Sequence, residues 1–200
     1  MFILDVGSGN GKGNSIEYQK DVIDSLVGKD VILKYQLFQD AQPNTPLKRE
    51  VFRKAYNYAN KKGLQVTASV FDIDSLRFLQ TFDIPFIKLA NNPLVFPLAR
   101  LIKDTPLLVS YPSVAEMGKR KLIKPLCCVS RYPAQGIQYE KNFSPYWLSQ
   151  GISDHCEGFD LWWKYQPTVY EKHLVLNKND KSNPDAGKFA CTPQDLEGIV

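Results

Sequence analysis

His155 and His173 are the only histidines in this 200-residue chain. His155 ends one apolar, strand-like run, Gly151–His155, and His173 lies within the next, Val169–Leu176. If the two runs are neighbouring strands, both imidazoles reach one face and can share a metal ion. By the two-residue period of a strand, Ser153 sits beside His155 and Glu171 beside His173, so each imidazole has a hydrogen-bonding neighbour. A single imidazole in a core is more often just a satisfied polar group, and it is the joint placement that favours the metal reading.

Two lysines pose a similar question. Lys34 in Leu33-Lys34-Tyr35-Gln36 and Lys88 in Ile87-Lys88-Leu89 interrupt apolar runs, where an ammonium without an anion is costly. A ligand's phosphate or carboxylate offsets that cost. A protein carboxylate such as Asp5 or Glu171 does so too, and for either lysine alone the two readings weigh the same. Cys128 and Cys156 suggest a rival zinc site with the histidines, weakened because Cys156 points away from adjacent His155 if the strand continues. Cys127, Cys128, Cys156 and Cys191 form no CxxC pair and no regular framework, so free thiols are expected.

These residues need a scaffold that brings strand ends together. Strand-like runs at Phe2–Val6, Val31–Phe38, Leu64–Phe71, Phe86–Ala90, Leu107–Tyr111 and Leu126–Tyr132 precede the two histidine-bearing ones. Helix-like stretches alternate with them at Ile16–Leu26, Leu47–Lys62, Ile73–Phe82, Leu94–Ile102, Val114–Arg120, Phe143–Ser149 and Phe159–Tyr165, and a short helix starts at Pro193. The aromatic run Phe159–Tyr165 is spaced to pack against a sheet rather than to stack bases.

Eight βα units predict an α/β chain forming one compact (β/α)8 TIM barrel over residues 1–200, at the lower limit of length for that fold. A doubly wound open sheet is the competitor. However, Gly7-Ser8-Gly9-Asn10-Gly11-Lys12-Gly13 fits neither GxGxxG leading directly into a helix nor GxxxxGK[ST].

Barrel chemistry sits at the carboxyl ends of the strands, which is where these polar residues fall. The net charge of +4 is too small and dispersed to indicate nucleic acid. No segment approaches the ~18 apolar residues of a membrane span, and no basic leader precedes Met-Phe-Ile-Leu, so a cytoplasmic protein is expected.

Read in order, the motifs resemble those of the sialic acid synthase family, which includes legionaminic and pseudaminic acid synthases and spore-coat polysaccharide homologues. Leu33–Gln36 is similar to the family's K-[FH]-Q, and Ala68-Ser69-Val70-Phe71-Asp72 with Ile84–Ala90 to its S-[TS]-x-F-D and [IV]-P-x-x-K-I-[AG]. Ser110 stands at the serine of S-T-G-M, and Cys128-Val129-Ser130-Arg131-Tyr132-Pro133 at C-[TV]-[SN]-x-Y-P. Gly151–His155 stands at G-x-S-D-H, Glu171–Leu174 at E-[KR]-H-F, and Asn183–Phe189 resembles G-P-D-H-x-x-S.

The resemblance implies that His155 and His173 hold a divalent metal, usually manganese, with magnesium or cobalt as substitutes. The metal polarises the aldehyde of an N-acetylated sugar. The methylene carbon of phosphoenolpyruvate attacks that aldehyde, water adds, and phosphate leaves to give a sialic-acid-like 2-keto acid. Lys34, Ser69, Lys88, Ser110, Ser130 and Ser153 would surround phosphoenolpyruvate. Tyr132, Gln36 and Asp185 would lie nearer the sugar, and Asp5 takes the place of the family's glutamate in A-E-I-G.

Several departures fall on the sugar side. Asn10 aligns with either of two positions of N-H-x-G. Asn91-Asn92-Pro93 replaces S-G-E, which leaves Asn91 as the substrate-facing residue and removes a carboxylate. Ser110-Tyr111-Pro112-Ser113 replaces S-T-G-M, and the insertion after K-F-Q shrinks to Asp40–Pro46. With Val200 following the eighth unit, the expectation is a minimal version lacking the C-terminal antifreeze-like domain, which in the family organises the dimer and delivers an arginine to the partner's sugar site. Two alternatives stand beside the synthase: a degenerate barrel that binds a phosphorylated ligand or protein partner without turnover, and a lyase or aldolase using Lys88 as a Schiff base.

Overall fold

A computed structural model describes residues 1–39, 43–113 and 123–200 of the chain. Eight parallel strands close into a barrel in sequence order: β1 (Phe2–Gly7), β2 (Val31–Leu37), β3 (Gln65–Val70), β4 (Ile87–Leu89), β5 (Leu107–Tyr111), β6 (Ile123–Cys128), β7 (Gly151–Asp154) and β8 (Val169–His173). β8 pairs back onto β1 with Phe2 opposite Tyr170 and Asp5 opposite His173. This is the (β/α)8 barrel expected from the alternation of runs.

The helices are α1 (Ile16–Asp24), α2 (Arg49–Lys61), α3 (Ile73–Leu79), α4 (Gly136–Asn142), α5 (Pro145–Gln150) and α6 (Asp160–Tyr165). Ser15 caps α1 by accepting from the Tyr18 amide, and Asp72 caps α3 by accepting from Ser75, so both start where an oxygen side chain precedes an apolar-periodic stretch. Among the described residues, no helix is long and apolar enough to cross a membrane.

Several boundaries differ from the sequence expectation. Leu94–Ile102 contains a 3-10 helix, Phe96–Leu101, with Pro97 in its first turn, and the tail helix is a 3-10 turn, Gln194–Leu196. β6 begins earlier than Leu126 and stops at Cys128, because beyond it the Val129 carbonyl is taken by the His155 ring and the Arg131 amide. β8 stops at His173, after which Leu174 still donates to the Asp5 carbonyl at 2.8 Å and forms an isolated bridge to Cys191. α4 was not expected. Its cap is a Gln135–Gln138 box followed by glycine, a weak start signal in sequence. The expected helix Val114–Arg120 and part of the Asp40–Pro46 segment lie outside the described residues.

Strand alternation builds two layers inside the barrel. The lower one is an apolar plug of Ile3, Ile32, Phe86, Leu108, Leu126 and Val169. Gly151 completes it by being small: a Cβ there would lie 2.6 Å from Leu126 Cδ2 and 2.8 Å from the Pro125 carbonyl. Two residues further along each strand the inward side chain turns polar, giving Asp5, Lys34, Ser69, Lys88, Ser110, Cys128, Ser153 and Glu171. The alternate residues, among them Leu4, Leu33, Tyr35, Ala68, Ile87, Val109, Cys127 and Ile152, face outward into the core shared with the helices.

Candidate active site at the carboxyl face of the barrel

The polar layer is the floor of a cavity of about 480 Å³ that opens at the carboxyl ends of the strands. The residues that the family resemblance places around the substrates and metal all line it: Asp5, Lys34, Gln36, Ser69, Lys88, Asn91, Ser110, Ser130, Tyr132, Ser153, His155, His173 and Asp185, whereas Cys156 of the rival zinc site does not. The barrel thus brings together side chains from β1 to β8 and from the loop after β8.

Both lysines have protein partners. Lys34 donates to Asp5 at 2.7 Å and to Ser69 at 3.1 Å, and its ammonium lies 3.3 Å from Glu171 Oε2. Lys88 donates to Ser110 at 2.8 Å and stands 3.4 Å from Glu171 Oε1. Ser153 donates to the same Glu171 Oε1 at 2.7 Å. The carboxylate reading of the lysines therefore holds.

The four charges are not equivalent. Burial pushes the Glu171 carboxyl up, but Lys34 and Lys88 override it and hold the group well below the usual carboxylate range. Asp5 follows the same pattern, burial being outweighed by Lys34. Burial opposes the Lys34 ammonium, yet Asp5 and Glu171 together raise its pKa. At Lys88 burial wins over Glu171, and the pKa falls. The difference follows from the partners: Lys34 meets two carboxylates and Lys88 one, at the longer distance.

The floor keeps hydrogen-bonding capacity that its own residues do not use. Ser69 and Ser110 accept from ammonium groups, which leaves their own protons free to donate. Glu171 Oε2 is buried and close to Lys34 but lacks hydrogen-bond geometry to it. His173 Nδ1 is likewise buried and unbonded, although Asp185 Oδ1 lies 3.1 Å away.

The imidazole rings of His155 and His173 are 5.4 Å apart between centroids. His155 Nδ1 lies 2.7 Å from the Val129 carbonyl, which can only accept, so Nδ1 carries the proton and Nε2 the lone pair. Burial, aided by His173, lowers the His155 pKa to about 4, so the ring is neutral near pH 7. At His173 burial acts downward, but Asp5 and Asp185 outweigh it and raise the pKa.

A neutral imidazole with its other nitrogen fixed by a carbonyl is the form in which histidine binds a divalent cation. Among the described residues no group of three or more His, Cys, Asp or Glu side chains is gathered as a metal site, which also removes the rival cysteine–histidine zinc cluster. The pair suits a cation whose other positions are filled by water and substrate oxygens.

The mouth is built differently. Tyr132, half exposed, stands over His155 with ring centroids 4.3 Å apart, next to a cis Tyr132–Pro133 bond. Asn91 donates to Ser130 at 2.9 Å. Gln36 donates to Asp5 at 3.1 Å and reaches Asp185 at 3.4 Å. Asp185 closes over β1 only because residue 7 is glycine, at φ +78°: a Cβ there would lie 2.4 Å from Asp185 Oδ2.

Sequence reasoning placed several lining residues only loosely. Cys128, weighed in sequence as a ligand of the rival zinc site, is set by strand alternation in the layer of Ser110 and Ser153. Glu171 had entered as a neighbour of His173 and as one candidate partner of the lysines. Asn10 and Asn44, hydrogen-bonded at 3.2 Å across the rim, are set by loop geometry that no periodicity reports.

A family model described as the NeuB family matches residues 17–200. The chain belongs to the NeuB family. This is the sialic-acid-synthase-like family that its motifs resemble. Among solved structures, the barrel of this NeuB family chain superposes on N-acetylneuraminic acid (sialic acid) synthetase from Leptospira borgpetersenii with a TM-score of 0.77 at 18% identity, covering 99% of this chain and 80% of that one.

The spore coat polysaccharide biosynthesis protein SpsE of Bacillus subtilis gives a TM-score of 0.77 at 20% identity, covering 100% of this chain and 65% of that one. A truncated 3-deoxy-D-arabino-heptulosonate 7-phosphate synthase from Thermotoga maritima gives 0.65 at 10% identity. At such identities these likenesses establish the fold. No curated protein sequence matches the chain.

Proposed function

We propose that this NeuB family barrel condenses phosphoenolpyruvate with a sugar-like aldehyde, releasing phosphate and forming a 2-keto acid of the sialic acid type. The observation that carries the reading is the buried floor. Two lysines and the serine hydroxyls of neighbouring strands converge on one cavity, with donors left over for an anion that carries both a phosphate and a carboxylate.

On this reading Lys34 and Lys88 shift part of their charge from Glu171 to the ligand. Ser69 and Ser110 donate to its oxygens, Ser153 stays on Glu171, and Ser130, held by Asn91, borders the ligand on the side of Cys128. Fixing the enol and the aldehyde in one enclosure converts a bimolecular encounter into a positioned one. His155 and His173 would hold a divalent cation, manganese in the first place, which supplies Lewis acidity to the aldehyde oxygen. Asp5, fixed by Lys34, Gln36 and the Gly7 amide, stands across the cavity and can take or return a proton on the acceptor. Tyr132, Gln36 and Asp185 shape the acceptor side.

One observation favours the Schiff-base reading, the lowered pKa of Lys88. Against it, Lys88 sits beside Glu171 and donates to Ser110, a setting for an ammonium that binds an anion.

Phosphate release from phosphoenolpyruvate, followed with and without manganese against N-acetylated hexosamines and shorter aldehydes, tests the proposal. Release that needs both metal and aldehyde supports it. Turnover without a divalent metal, or borohydride trapping of a substrate adduct on Lys88, would replace it.

A further inference from the structure

One polar cluster takes no part in the reaction proposed above, yet it is buried directly behind the histidines. Asp154 of β7 and Lys172 of β8 point outward, away from the cavity, each one residue before a pocket histidine. Both are 1% exposed. Lys172 Nζ donates to Asp154 Oδ2 at 3.1 Å and to the Cys156 carbonyl at 2.8 Å, and it lies 5.3 Å from the Phe159 ring centroid. The Tyr170 hydroxyl donates to the same Asp154 oxygen. Asp154 Oδ1 accepts from the Cys156 amide at 2.7 Å.

A buried ion pair of this kind is a poor way to gain stability. Desolvating two charges offsets their attraction, and well-packed apolar residues of similar volume do as well or better. What apolar residues cannot do is fix backbone groups, and here four in succession are fixed. The His155 amide donates to the Tyr139 hydroxyl at 3.1 Å, and the His155 carbonyl accepts from the Ala134 amide at 2.8 Å. The Cys156 amide and carbonyl are held by Asp154 and Lys172 respectively. The chain leaves β7 at this turn, and the turn decides whether the His155 ring faces His173 with Nδ1 on the Val129 carbonyl.

We propose that Asp154 and Lys172 are positioning residues for His155: through the two peptide groups of Cys156 they hold the imidazole in its cavity-facing orientation, and so set the affinity of the histidine pair for a divalent cation. The consequence for the cation rests on the reading that His155 and His173 bind it; the orientation does not.

Two readouts separate the possibilities. In the metal-free protein, the His155 Nδ1 proton on the Val129 carbonyl gives a downfield imidazole resonance, assigned by its loss in His155→Ala. Manganese binding is followed by electron paramagnetic resonance titration, with thermal melting of each variant alongside. In Lys172→Met the resonance is expected to vanish or exchange rapidly, and manganese affinity to fall about 10–100-fold, the range for losing a partner that orients a ligand. Lys172→Arg is expected to recover part of both.

The double variant Asp154→Leu/Lys172→Met guards against simple misfolding. It leaves no unpaired buried charge, so it is expected to remain folded with a cooperative melt while keeping neither the resonance nor the affinity. If it retains the protected resonance, the positioning role is overturned whatever the metal result. If the wild type fails to bind manganese while the double variant still loses the resonance, the ligand reading fails and the positioning role stands.

Discussion

The inner and outer faces of the strands carry the same kinds of polar residue at the same height in the barrel, but satisfy them differently. Outside, Asp154, Lys172, Tyr170, Tyr35 and Gln19 are saturated by protein: Tyr35 donates to Gln19 at 2.9 Å, and Gln19 donates to the Gly13 carbonyl at 2.7 Å. Inside, Lys34, Lys88, Glu171 and the serines also touch one another, yet Glu171 Oε2 and His173 Nδ1 are left without a hydrogen bond and a cavity stands over them. Burial and charge alone do not distinguish a structural network from a binding one. Hydrogen-bonding capacity that the protein itself does not use, next to open space, does.

The comparison breaks most visibly if large outer truncations disturb chemistry before stability. Phe52, fully buried where α2 packs on Tyr35, is expected to cost ~3–5 kcal/mol as Phe52→Ala, read from the shift of a denaturant midpoint. Activity per folded molecule should stay unchanged.

The inner counterpart is Lys88→Met. Losing one charged hydrogen bond to the ligand, worth ~2–3 kcal/mol, lowers kcat/KM for phosphoenolpyruvate roughly 30–150-fold. Stability should move by no more than ~1 kcal/mol, because Glu171 keeps Lys34 and Ser153. Steady-state kinetics and melting on the same sample read both.

A smaller effect is expected at Tyr35→Phe, which leaves the buried Gln19 oxygen without its donor and costs ~1–2 kcal/mol of stability at constant kinetic parameters. A drop in kcat there would mean that the outer network reaches the site through the Gly13 loop.

The smallest effect concerns alkaline pH. Burial pushes the outward-facing Cys191 thiol up to about 12. A thiol raised on folding stabilises fully below its ordinary value, and that contribution is lost as pH rises towards the folded value. Across this window one proton contributes a slope of about 1.4 kcal/mol per pH unit. Cys191→Ala should remove that one-proton slope from an alkaline unfolding series and leave neutral stability to packing alone.

Much of the inner face was legible because a strand's period of two leaves a direct trace in sequence. Ile32 to Lys34, Phe86 to Lys88, Leu108 to Ser110 and Val169 to Glu171 are the same step from plug to floor, repeated around the barrel. The partners of the lysines were not decided by sequence, since an ammonium in an apolar run asks for an anion without saying whose. The structure gives them Asp5 and Glu171.

What escaped lay where periodicity stops. α4 starts from a glutamine cap and a glycine, and the Asn10–Asn44 contact joins two loops. The Asp154–Lys172 pair was overlooked for another reason: in G-x-S-D-H and E-K-H the histidines draw attention inward, while the residue before each faces the other way.

Calorimetric titration of phosphoenolpyruvate into the manganese-supplemented protein tests the central claim most directly, because it reads the floor without depending on an acceptor. One site is expected in the wild type, with affinity reduced about 10-fold or more in Lys34→Met and in Lys88→Met and retained in Tyr35→Phe. Equal affinity in the wild type and both lysine variants, or no binding by the wild type, would contradict the account.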